Sequence, residues 1–241
     1  MTKGWDKEKA RHSMAKKFGK APPYRKKKKT SHWLIHKVTP KTKYISEEAG
    51  FEFTFEPVED TISIDETKDG YTAKYLVRDD NPTNPSDYGD DGVGFLVSYH
   101  RDFDVRKDDI ITEDDARKLY QGEKIPQQKD YYIFAVDAYI HSGVALSFAG
   151  GFSGRLPEGH ERFDVSSVGL ILVNKKEIKT RKEAQTFAKG LIENWNQYNS
   201  GDVYGMVIET YDKNKKQKTQ DATWGYYGYK DAMKELKTYE G

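Results

Sequence analysis

Cysteine is absent from this chain. That excludes disulfides, thiolate metal sites and cysteine nucleophiles at once. Long apolar runs are missing too. No stretch approaches the roughly 18 residues that a membrane-spanning helix needs. The first residues, MTKGWD, hold no apolar core of a signal peptide. The expectation is an intracellular protein with no membrane partner and no cofactor. Aliphatic residues are also scarce: hydrophobic residues make up 36% of the chain and charged ones 33%. Burial must therefore lean on aromatic rings, and 17 tyrosines and 11 phenylalanines supply them.

The net charge of +1 hides a division. Residues 1–45 carry 15 Lys and Arg against Asp6 and Glu8, a balance of +13. Residues 46–241 carry 25 against 37 acids, a balance of −12. Arg25, Lys26, Lys27, Lys28 and Lys29 form an unbroken cationic run, which repels itself and stays extended unless anions neutralise it. With Trp33, and with Trp5 and Tyr24 interleaved, this segment has the means to hold phosphates and stack on bases. The division predicts a largely flexible basic arm over 1–45 and a single acidic domain over 46–241. A solubilising tail, or an arm folded back on the acidic domain, is the plainer alternative. Ser31–Val38, SHWLIHKV, alternates weakly and reads as a first strand or part of the arm.

Past the arm, Phe51, Phe53 and Phe55 alternate with polar residues, the period of a strand. Two segments, Thr61–Asp65 and Tyr71–Arg78, flank the turn Lys68-Asp69-Gly70. Strands are expected at Val93–Tyr99, Tyr131–Ile140, Val144–Phe148 and Ser167–Val173. Thr112 opens a helix with Asp114 and Asp115 in its first turn. Thr180-Arg181-Lys182-Glu183 is a capping box. Behind it Ala184, Phe187, Ala188, Leu191, Ile192 and Trp195 make one apolar stripe. A hairpin is expected from Val203–Tyr211 and Thr223–Tyr229 around a polar loop, then a short helix over Lys230–Lys237. Strands and helices are segregated, which predicts an α+β fold: a mostly antiparallel, twisted sheet with one long amphipathic helix and two shorter ones.

Motifs with chemistry are few. His141 and Ser142 are adjacent, so on a strand they face opposite ways and His141 cannot simply activate Ser142. If the strands of His100 and His141 pair, the two histidines with Asp164, Asp137 or Asp202 make a weak acid–base candidate. The plainer reading of His141-Ser142-Gly143 is a hairpin turn. No histidine pair has ligand spacing, so no metal is expected. The acidic loop Asp79–Asp90 departs from a calcium loop in its prolines and its last residue. Tyr139, Trp224 and Tyr227 are candidates to line a pocket for a planar ligand. Core packing is the plainer role for these rings.

Three segments in series carry a resemblance. They are Asn84–Asp87 with Gly94–Arg101; Ala138–Ser147 with Phe163–Ile171; and Trp195–Gly205 with Trp224–Gly228. Over roughly residues 80–228 the chain resembles an uncharacterised family encoded by phages, archaeal viruses and prophages. Relatives in that family carry a cysteine just before the Trp-Gly turn, where this chain has Ala222 and Thr223. The resemblance implies a viral or mobile-element accessory protein acting in a host cytoplasm. The leading expectation is a non-enzymatic protein that binds a macromolecule, such as a host protein, with its arm on nucleic acid. The second is an antagonist of host defence, through the acidic density at Asp79–Asp115 or through capture of a nucleotide signal. The third is a hydrolase using His100, His141 and an aspartate.

Overall fold

The structure, a computed structural model, describes residues 44–46, 50–85, 92–105, 109–141, 143–156 and 164–239. The expected arm, and the strand considered at Ser31–Val38, lie outside these residues. In chain order the elements are β1 (Tyr44–Ser46), β2 (Phe51–Phe53), β3 (Ser63–Thr67), β4 (Gly70–Arg78), β5 (Gly94–His100) and β6 (Phe103–Val105). There follow α1 (Glu113–Tyr120), β7 (Tyr131–Ile140), β8 (Val144–Phe148) and β9 (Val165–Asn174). The last are α2 (Arg181–Asn199), β10 (Val203–Asp212), β11 (Gln217–Tyr227) and α3 (Tyr229–Thr238). Strand pairing is antiparallel throughout the described residues, and the fold is α+β.

The sequence pattern suggests one domain over 46–241, whereas the chain divides into two compact units. The first joins residues up to Pro82 with Val203–Gly241, and the second is Thr83–Asp202. The division arises because β10, far along the chain, pairs with β4 over its whole length, from Tyr204 opposite Arg78 to Asp212 opposite Gly70. Nothing local in the sequence announces such a pairing.

The first unit holds the sheet β11-β10-β4-β3. Its central strands are buried on both faces. Ala73, Tyr75, Val77, Val207 and Tyr211 pack with Phe51 and Phe53 of β2. Leu76, Tyr204, Met206 and Tyr226 point the other way and pack with Ala232 and Leu236 of α3. This two-sided burial explains why these strands read as apolar runs rather than clean alternations. The expected polar loop over 212–220 is shorter than that: Gln217–Gln220 are strand, because they lie on a sheet edge where both faces tolerate polar side chains.

The second unit holds the sheet β6-β5-β9-β7-β8. On one face Leu96, Phe134, Val136, Leu146, Ile171 and Val173 meet α2, whose Ala184, Ala188, Leu191, Ile192 and Trp195 are buried as the stripe requires. Phe95, Val97, Leu170 and Leu172 face the other way, against Ile111, Ala116 and Ile125. Each fully buried Leu or Ile contributes about 1.5–3 kcal/mol. Both helix starts are capped. Thr112 and Asp115 form a reciprocal box, each side chain accepting the other's amide. At α2 only half of the expected box forms. Thr180 Oγ1 accepts from the Glu183 amide, but the Glu183 carboxylate takes the Thr180 hydroxyl instead of its backbone N–H. Helix α2 also covers the β8 edge: Asn196 bonds both polar groups of the Leu146 backbone, and Asn199 donates to the Val144 carbonyl. An edge so occupied cannot recruit another strand.

Candidate functional site

The cationic candidates Arg25, Lys26, Lys27, Lys28, Lys29 and Trp33 lie outside the described residues. Of the weak acid–base candidates, the structure brings two together. The residues ending β7 and starting β9 meet at the strand ends, and His141 Nδ1 stands 3.5 Å from Asp164 Oδ2. The imidazole is largely exposed and stacks on Tyr139, two residues back on the same strand, at 13° between planes and 6.1 Å between centroids. Ser142 is not among the described residues. His100 is elsewhere. Strand β9 lies between β5 and β7. Extending the registers from Ser98 opposite Gly169 and Tyr139 opposite Val165 leaves the histidines four residues out of step. That is about 13 Å along the strands before the lateral spacing is added. A general base must reach its proton at about 3 Å or through one water. His100 and His141 therefore do not share a site. Nδ1 of His100 accepts the Asp102 amide at 3.2 Å and stands 4.0 Å from the Asp102 carboxylate.

Asp137, on β7, sits at a bulge against β9 and is nearly buried. It accepts from the Gly150 amide at 2.7 Å and from the Ser167 hydroxyl at 2.9 Å. Those bonds tie the β8 exit to the sheet, a structural role. Tyr139 belongs to the second unit, and Trp224 and Tyr227 to the first. Trp224 packs edge-on against Phe55 at 5.4 Å and lies over Gly205, where a Cβ would fall 2.4 Å from its ring. Tyr227 is buried. Both rings serve the core. Among the described residues no three acidic or histidine side chains gather as a metal site. No helix among them is long and apolar enough to cross a membrane.

The most concentrated polar chemistry lies on β10, in a place the sequence reading passed over. Glu209 is fully buried. It shares the face of Val207 and Tyr211, the face covered by β2. Its Oε1 accepts from the Thr54 amide at 3.1 Å and from the Gln217 side-chain amide at 3.0 Å. Its Oε2 accepts from the Tyr211 hydroxyl at 2.5 Å. The Tyr211 proton is also 3.0 Å, oxygen to oxygen, from the Glu52 carbonyl, and the charged acceptor wins the shorter bond. All three partners are donors, which is the arrangement that suits an ionised carboxylate. The fully buried Tyr75 hydroxyl faces the same charge without hydrogen-bond geometry to it, so their contact is electrostatic. The phase of the strand held the clue. Val203, Val207 and Tyr211 mark the inward positions of VYGMVIETY, and Glu209 falls in step with them.

Above this carboxylate opens a cleft of about 210 Å³ lined by Glu52, Tyr211, Lys215, Lys216 and Gln217. Lys215 closes the β10–β11 turn with φ at +61°, a left-handed conformation uncommon outside glycine. Its ammonium lies 5.0 Å from the Phe51 ring centroid.

The phenols around Glu209 carry a pH signature. Burial, and then Glu209, push Tyr75 and Tyr211 far above the usual phenol range. Burial, and then Glu235, push Tyr226 on the opposite face up to about 12. A folded pKa above the unfolded value of about 10 means stability that is complete below pH ~10 and lost as the pH rises through the folded value. The loss is about 1.4 kcal/mol per pH unit for each such group. In an alkaline titration these three tyrosines should ionise together, in one step that coincides with the loss of circular dichroism. Ionisation alongside the exposed tyrosines, with native dichroism retained, would contradict their burial.

Comparison of this chain with protein-family models, curated proteins and solved structures finds no match.

Proposed function

We propose that this chain is a non-enzymatic accessory protein of viral or mobile-element origin that binds a macromolecular partner, with residues 1–45 contacting nucleic acid. The observation that carries the reading is the charge division, 15 cations against two acids in residues 1–45 and a balance of −12 in the rest. A partner rich in phosphate is drawn to the first segment and repelled by the second. Binding therefore concentrates on Arg25–Lys29 and its neighbours, with Trp33 available for stacking. The viral or mobile-element origin rests on the resemblance of the three segments within residues 80–228.

The test compares the full chain with a variant lacking residues 1–30, on DNA and RNA across a salt series. The full chain should bind at low salt and weaken steeply as salt rises. Each phosphate neutralised adds about 0.7–0.9 to the slope of log affinity against log salt. Loss of Arg25–Lys29 alone should lower that slope by about 4, with affinity down at least roughly tenfold at low salt. Equal binding by the two proteins would remove the segment from the mechanism.

A further inference from the structure

We infer that the β10–β11 hairpin tip is a second, folded contact for the phosphate backbone of nucleic acid. The inference rests on the reading above for its class of partner, but on different residues. Between Asp212 and Lys218 the chain carries Lys213, Lys215, Lys216 and Lys218 against one acid. All four lysines are exposed. The acid is already engaged: Asp212 Oδ1 accepts from the Asn214 amide at 2.9 Å and the Lys216 amide at 3.0 Å. This is an island of positive charge on an otherwise acidic stretch of chain.

The tip is also built to hold its shape. The Asp212 amide donates to the Lys216 carbonyl and the Lys215 amide donates to the Asp212 carbonyl, both at 2.9 Å. Lys215 is fixed in the left-handed region and held over Phe51. Cations placed in advance lose less freedom on binding than cations on a flexible loop. The recess between them is lined by Lys215, Lys216, Gln217, Tyr211 and Glu52.

Neighbouring acids offset the island only in part. Glu52 shares the recess. Glu209, two residues before Tyr211, is buried and accepts three hydrogen bonds. Asp69 lies in the β3–β4 turn with Lys68, beside Gly70 opposite Asp212, and Asp221 lies on β11 three residues past Lys218, whereas Asp65 and Glu66 belong to β3. β3 is the opposite edge of the sheet, three strand spacings from β11. That is about 14 Å, beyond the screening length of about 8 Å at physiological salt. The sheet is thus polarised, cationic at the β11 edge and acidic at the β3 edge, so a polyanion is steered to the hairpin side.

The experiment uses the full chain, fluorescent duplex and single-stranded DNA and RNA probes, and a salt series. The hairpin variant is K213Q/K215N/K216Q/K218Q, with asparagine chosen at 215 because it tolerates positive φ. It should melt as the wild type does, bind about fivefold to tenfold more weakly at low salt, and show a slope lower by about 3. The quartet changed to arginine should bind as the wild type. If the glutamine variant binds like the wild type while deletion of 1–30 weakens binding, the hairpin contact is refuted and the function reading stands. If the hairpin variant loses binding while the deletion does not, the hairpin contact stands and the role of residues 1–45 falls. An arginine quartet that also loses binding refutes a charge-based contact. Failure of the wild type to bind any probe at low salt overturns both.

Discussion

Glu209→Ala is expected to be the most damaging single substitution in the first unit, at a cost of about 3–5 kcal/mol. The residue sits at zero exposure on a strand that is paired on both sides. Its carboxylate is the common acceptor for the Thr54 amide, the Gln217 amide and the Tyr211 hydroxyl. Removing it takes the shared acceptor from three donors and opens a void among Phe53, Tyr75 and Tyr211. The same three bonds hold the chain after β2 and the start of β11 onto β10, so β2 should loosen from the sheet. Glu209→Gln keeps the volume but turns a donor toward donors, and should cost about 2 kcal/mol. The measurement is hydrogen exchange of the β10 and β4 amides, with β9 amides as the internal reference. Faster exchange in β10 and β4 alone is the expected result. Unchanged protection would mean that the carboxylate contributes nothing net. Glu209→Gln should also bring the Tyr75 and Tyr211 ionisations to lower pH, because the charge opposing phenolate formation is gone while burial remains.

Trp195→Ala should cost the second unit about 3–5 kcal/mol. The indole is 3% exposed at the end of the α2 stripe, edge-on to Phe103 at 5.4 Å and to Tyr198 at 5.6 Å. No neighbour accepts its buried Nε1–H. Trp195→Phe should therefore cost far less than alanine, about 1–2 kcal/mol, since it keeps the ring contacts and removes an unsatisfied donor. Urea unfolding followed through β9 and α2 amides separates the two variants. Equal losses for phenylalanine and alanine would show that the indole nitrogen matters and that ring burial does not dominate.

The candidate site shows where sequence reasoning ran short. His141 lies just past β7 and Asp164 just before β9, and the pairing of those strands brings them together. The His100 partnership was a guess about pairing, and the interposed β9 defeats it. Trp224 and Tyr227 carry signals that cannot separate a pocket from a core, because an aromatic ring serves either equally. Glu209 was visible in the phase of β10, but a lone acid in an apolar strand gains meaning only once its three donors are located. Two of them lie close in sequence, and the third, Thr54, is 155 residues away. The sequence over Lys213–Lys218 shows only a polar loop, since its geometry depends on the register of β10 with β11.

By itself, the sequence determined what is set by local chemistry and by charge. The cationic balance of residues 1–45 is a matter of counting. The α2 stripe, the two threonine caps, the Lys68-Asp69-Gly70 turn and nearly every strand follow from periodicity and capping, which act within a few residues. The absence of cysteine removed thiol chemistry without any fold in hand. Only the tertiary structure decided that the chain makes two units, because the pairing of β10 with β4 links residues more than a hundred positions apart. It alone placed Glu209 beneath Tyr211 and Gln217, and set four lysines on a braced turn at one edge of a polarised sheet. Long-range pairings are chosen by how faces bury one another, and that choice leaves no mark in any short window of residues.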